Sequence, residues 1–113
     1  MAERTGKIDI KSMQDMDDFI IEQLKENPGL IPDLLRDTLQ DLNSEDDNFK
    51  SLMKTIFYIT KSKDGGVSEL ARKTGLTRQS LYRMFKKGNP TLKTLVSILN
   101  GLGVRLEIKA IHG

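Results

Sequence analysis

The sequence predicts an all-α fold of five or six short helices, the first of them an acidic N-terminal extension, closed by one short β-strand at the C-terminus. Three observations predict it. Apolar residues recur at i, i+3, i+4 and i+7 through most of the chain, the spacing that gathers them on one face of a helix. The breakers "ENPG", "KSKDGG", "TGLT", "GNP" and "NGLG" interrupt that spacing at helix-length intervals. Only in "VRLEIKAI", 104–111, does the period shorten from 3.6 to 2.

In chain order, Ser12 and Asp15 resemble a capping box, after which Met16, Phe19, Ile20 and Leu24 form a helical stripe over about 13–26. A second helix starts near Ile31 or Pro32, gathers Ile31, Leu34, Leu35, Leu39 and Leu42 on one face, and turns Asp33, Arg36, Asp37, Gln40 and Asp41 outward. "NSEDD" follows as a loop and a helix start, with Ser44 as cap and acids suited to the positive end of a helix dipole. Phe49, Leu52, Met53, Ile56 and Phe57 form the core stripe of a third helix. Two short helices, about 68–74 and 78–86, flank "TGLT". Asn89, Pro90 and Thr91 supply a turn and a cap for a last helix that buries Leu92, Leu95, Val96 and Leu99.

In the tail, Val104, Leu106, Ile108 and Ala110 alternate with Arg105, Glu107 and Lys109, as in a strand with one buried side. A lone strand leaves its backbone groups unpaired. Its partner is therefore "KIDIK" at 7–11, the same strand of a second subunit, or a strand of another protein.

The length of 113 residues suits one domain. No cysteine is present and the one histidine is His112, so disulfides, a zinc site and a Cys/His nucleophile lack materials, and neither metal nor cofactor is expected. No run approaches the ~20 apolar residues that span a bilayer, and the N-terminus lacks the apolar stretch of a signal peptide. A cytoplasmic protein with no membrane partner is expected.

The formal charge of +2 hides an asymmetry. Residues 1–48 hold 13 acidic and 5 basic side chains, whereas residues 49–113 hold 13 basic and 3 acidic. Such a division suggests surfaces with different partners, or halves that attract each other within the fold. It also gives the expected domain division, a helical extension at 1–48 and a basic unit at 49–113.

Within the basic unit, Ala71 and Gly75 permit a close crossing and a left-handed turn between two helices, while Leu70, Leu76, Leu81 and Met84 lock the pair. Together they make a helix-turn-helix signature. At about 100° per residue from Arg78, Tyr82 falls near 40°, Lys86 near 80°, Gln79 near 100° and Arg83 near 140°. Leu81, Met84 and Phe85 lie opposite.

From 70 to 106 there is no Asp or Glu. A merely solvated helix usually mixes Glu with Lys. A helix that reads DNA wants Arg for guanine, Gln for adenine, and small hydroxyls for bases or phosphates. The expected base-reading residues are Thr77, Arg78, Gln79, Ser80, Tyr82 and Arg83, and the expected phosphate contacts are Ser68, Arg72, Lys86 and Lys87. Thr77 has a second reading as a simple helix cap.

The run "ELARKTGLTRQSLYRMF" with "GNPTLKTL" closely resembles the probable addiction-module antidote proteins, the HigA-like antitoxins of the Xre group of lambda-repressor-like domains. "PGLIPDLLRDTLQD" resembles the segment that precedes their DNA-binding helices, and the similarity covers roughly 28–110. The stretch "NSEDDNFKSLMKTIFYITKSKDGG" is less typical, and the first dozen residues carry no motif that adds to the resemblance. The resemblance implies a dimeric antitoxin that represses its own operon on double-stranded operator DNA and neutralises a small basic toxin similar to RelE-type ribonucleases. A stand-alone, phage-type Xre repressor without a toxin is the alternative.

Asp15, Asp17, Asp18, Glu22, Asp33, Asp37, Asp41, Asp46 and Asp47 would form the counter-surface for such a toxin, or equally a solubilising face. Catalysis is not expected. Two-metal chemistry needs carboxylates converging in a shielded cleft, and "QDMDD" lies along an exposed helix. A third reading docks the basic helix onto an acidic protein instead of DNA.

Overall fold

The computed structural model describes residues 10–43 and 49–111, the side chains of 10–15 and of Asn43 excepted. Six α-helices occur among them: α1 (Ile10–Glu26), α2 (Leu30–Gln40), α3 (Lys50–Ser62), α4 (Gly66–Thr74), α5 (Arg78–Lys87) and α6 (Leu92–Gly101). A single turn of 3-10 helix, Asp41–Asn43, extends α2.

The third helix is the hub. Leu52, Ile56 and Ile59 are fully buried, as is the hydroxyl-bearing Thr60, whose Oγ1 donates to the Ile56 carbonyl at 2.8 Å. Helices α1, α2, α4 and α5 all pack against α3, and α6 lies against α4. Leu24 of α1 and Ile31 and Leu35 of α2 join the same apolar cluster as Leu70, Leu81, Ile98 and Leu99. The acidic extension thus contributes side chains to a core shared with the basic unit, because its apolar stripe has no partner within its own two helices large enough to exclude water.

Several boundaries differ from the expected ones. Helix α1 already includes Ile10, so Ser12 lies inside the helix, not at its N-cap position. The N-cap of α3 is Phe49, with no side-chain hydrogen bond, and Ser44, Asp46 and Asp47 lie outside the described residues together with His112. Helix α4 starts two residues early, on Gly65 and Gly66, both at positive φ (84° and 52°), where a side chain would strain the backbone. The Thr91 cap stands as expected, its Oγ1 accepting the Thr94 N–H at 3.1 Å.

The expected strand at 104–110 is not formed in the chain by itself. The segment runs without regular secondary structure, and no strand occurs among the described residues. The physical reason is the missing ladder partner. Of the segment 7–11, Ile10 and Lys11 already belong to α1, and 7–9 lie outside the described residues.

Candidate nucleic-acid interface

Helices α4 and α5 are joined by Gly75, Leu76 and Thr77. Gly75 closes α4 at φ 79°, donating its N–H to the Ala71 carbonyl at 2.9 Å. Thr74 braces the corner: its Oγ1 donates to the Leu70 carbonyl at 2.8 Å and accepts the Leu76 N–H at 3.2 Å. Thr77 then opens α5 in extended conformation, accepting the Ser80 N–H at 3.0 Å and donating its hydroxyl to Ser80 Oγ at 2.9 Å. Thr77 is therefore the cap of α5, the second of the two roles its sequence position suggested.

The orientation of α5 follows from its inner face. Leu81 is fully buried, and Met84 and Phe85 are half-buried. Phe85 meets Phe57 of α3 edge-on at 5.3 Å between centroids, and Tyr82 meets Phe85 edge-on at 6.3 Å. Tyr82 remains 40% exposed. Arg78, Gln79, Arg83, Lys86 and Lys87 are all exposed, and Ser80 is half-buried beside its cap. Among the described residues, Arg78, Arg83, Lys86 and Lys87 enter no ion pair. The four cations share one helix with no carboxylate, so their positive charges add on one exposed surface.

On α4, Ser68 and Arg72 are exposed, but Arg72 is not free. Its Nε and Nη2 donate to the two carboxylate oxygens of Glu69 at 3.0 and 2.5 Å, a bidentate fork. The Arg72 hydrogen bonds hold the Glu69 carboxyl below its ordinary range, and the same bonds raise the Arg72 guanidinium above its own. The sequence reading missed this acid because the carboxylate-free run begins one residue later. The i, i+3 spacing of Glu69 and Arg72 was the available signal.

On the acidic side, Asp18, Glu22, Asp33, Asp37 and Asp41 are exposed. Asp33 pairs with Arg36 at 2.8 Å and Glu22 with Lys25 at 3.9 Å. Asp17 departs from the expected open surface: it is half-buried and accepts a hydrogen bond from the Tyr58 hydroxyl at 2.5 Å. The side chain of Asp15 lies outside the described residues, as do Asp46 and Asp47. No group of three or more His, Cys, Asp or Glu able to hold a metal ion, and no helix long and apolar enough to cross a membrane, is found among the described residues.

Comparison with known proteins gives one finding. The model of the family described as "Probable addiction module antidote protein" matches residues 6–110, from the acidic helices through α5 to the tail. No curated protein and no solved structure matches. With the acidic helices, the α4–α5 corner and the tail all inside that match, the chain belongs to the probable addiction-module antidote family.

Proposed function

We propose that the protein is the DNA-binding antitoxin of a type II toxin–antitoxin module, acting in the cytoplasm. In this reading it represses its own operon and neutralises an RNase-type toxin. Family membership supports the antidote role. The single observation that carries DNA binding is the face of α5, four unpaired cations with Gln79 and Tyr82 on an exposed helix whose opposite face is anchored on Phe57.

In this reading α4 and α5 are a helix-turn-helix of the lambda-repressor kind, and α5 enters the major groove. Arg78, Gln79 and Arg83 read base edges with Tyr82, while Thr77 and Ser80 sit at the N-terminal end that approaches the bases first. Ser68, Arg72, Lys86 and Lys87 hold phosphates and fix the register. Two copies place their recognition helices about 34 Å apart on a near-palindromic operator and block polymerase by occupancy. The basic unit, 49–113, carries this activity. The acidic extension, 1–48, is the surface offered to a basic, RNA-cleaving toxin, with Asp18, Glu22, Asp37 and Asp41 open to it.

The test is a mobility shift on the gene's own upstream DNA at two salt concentrations. A specific complex should weaken with salt at a slope near −0.9 per phosphate contacted. Equal affinity for unrelated DNA, unaltered by replacing Arg78 and Arg83 with alanine, would overturn the operator reading. Co-expression with the adjacent reading frame tests the other half: a small basic protein should co-purify, and its absence would leave a repressor without a toxin.

A further inference from the structure

The tail after α6 is the least satisfied part of the described chain. Ile108 and Ile111 are almost wholly exposed, at 101% and 89%, and Leu106 is 37% exposed. Between the tail and α2 lies an open groove of about 620 Å³ of mixed character, in which the apolar Pro32, Leu35, Leu39, Val104, Leu106 and Ile108 alternate with charged and polar neighbours from both sides. Alternation over 104–110, bare ladder groups and an adjoining, partly apolar groove describe half of a β-ribbon. Two strands alone are marginal in water and need an apolar cover, which the α2 side of the groove provides.

We propose that the occupant is a second copy of the same segment. The two tails pair antiparallel about a two-fold axis at Leu106, with each Arg105 facing Glu107 of the partner subunit. This deepens the dimer that the operator reading calls for, and rests on that reading only for its purpose.

Charge and alternation together select this register. Residues directly opposite in an antiparallel pair share a face, so an odd offset near the centre sets Leu106 against Arg105, Glu107 or Lys109. Moving the axis to Glu107 opposes Glu107 to itself and Arg105 to Lys109, like charges in every pair. Moving it to Ile108 pairs Glu107 with Lys109 but leaves Arg105 opposite the apolar Ile111. A parallel in-register pair stacks each charge on its own copy. With the axis at Leu106, Val104 meets Ile108, Leu106 meets itself, and both Arg105–Glu107 contacts are complementary. Within one chain these two residues already pair at 3.1 Å on the polar face. A second copy brings the opposite ends together again, so four alternating charges line the outer side of the ribbon.

The chain has no cysteine, so one introduced thiol reports its own neighbour. Under mild oxidation, Leu106→Cys should form a covalent dimer roughly tenfold faster than Ile108→Cys, because only residues that face themselves come within disulfide reach. Sedimentation of the full-length protein gives the second readout. Arg105→Glu and Glu107→Arg should each weaken the dimer roughly tenfold, since each places two like-charge pairs in the ribbon. The double variant, and an equimolar mixture of the two single variants, should associate as the wild type does. Faster cross-linking at 108 than at 106, or no response to either charge reversal, would overturn the proposal. So would a monomer at all concentrations. Mobility shifts on the same samples separate the two readings: a cross-linked dimer that ignores operator DNA removes the operator reading alone, and operator binding with tails that neither cross-link nor respond to charge reversal removes the ribbon alone.

Discussion

The Tyr58 hydroxyl of α3 donates a 2.5 Å hydrogen bond to the carboxylate of Asp17, 41 residues earlier on α1. Tyr58 is buried to 8% exposure, so this bond satisfies a hydroxyl that would otherwise be stranded against the core. Tyr58→Phe should lower the stability by about 1 kcal/mol, and Asp17→Ala by at least as much, because the latter leaves the hydroxyl buried without its acceptor. Urea unfolding measures both.

The same bond has a signature in alkali. Burial first, then the Asp17 hydrogen bond and charge, hold the Tyr58 proton well above the ordinary tyrosine range. A folded-state value above the unfolded one means that the folded chain keeps a proton the unfolded chain releases, so stability falls as pH rises past about 10. Tyr58→Phe should flatten that fall. An unchanged slope between wild type and variant in this range would show that the bond does not form in solution.

Arg72 is shared between a carboxylate and, in the proposed function, a phosphate. Glu69→Gln removes the competitor and one negative charge, so DNA affinity should rise and the salt slope should steepen by about one phosphate contact. The carboxyl of Glu69 lies below its ordinary value, so the fork is intact at neutral pH and is lost only as pH falls through that depressed value. Titration of wild type and variant against operator DNA at several salt concentrations measures the difference.

Along α5 the two kinds of contact should separate on mutation. Arg78→Ala or Arg83→Ala should cost about 1–3 kcal/mol on the cognate operator and relax the preference at one base position. Lys86→Ala should instead weaken all sequences alike and reduce the salt slope by about 1. Selection from a randomised operator library distinguishes the outcomes. If Arg83→Ala leaves every preference intact, that side chain does not read a base.

Two glycines hold the corner for different reasons. An added Cβ at Gly75 meets nothing within 4 Å, so the requirement there is the positive φ of 79°. Gly75→Asn should be milder than Gly75→Val, since Asn visits the left-handed region and a β-branched residue pays about 1–2 kcal/mol or more there. At Gly101, by contrast, a Cβ would stand 2.9 Å from Leu70 Cδ1 and 3.2 Å from Thr74 Cγ2, where α6 crosses α4. Gly101→Ala should cost less than about 1 kcal/mol, because only the tip of Leu70 must turn aside and the helix-propensity gain of Ala offsets part of the squeeze. Thermal unfolding of the variants is the measurement.

By itself the sequence determined the helices and the inner faces of α3 and α5, whereas the stripes expected in α1 and α6 overreach the core, leaving Met16, Phe19 and Leu92 mostly exposed. The stripe of Leu52, Met53 and Ile56 and the opposition of Leu81 to Arg78 depend only on a fixed 100° step, and Thr91 caps its helix through a contact three residues away. Local rules reach that far and no further. Only the tertiary structure decided that Asp17 turns inward to Tyr58, that Gly101 is where two helices touch, and that Leu24 and Ile31 share one core with Leu81. Each of these joins residues far apart in the chain, and their pairing is set by how amphipathic helices of given length can all hide their apolar sides at once. The tail shows the same division. Its alternation is written in Val104, Leu106 and Ile108, but a strand exists only where a second backbone completes its hydrogen bonds, and that backbone is not in the described part of one chain.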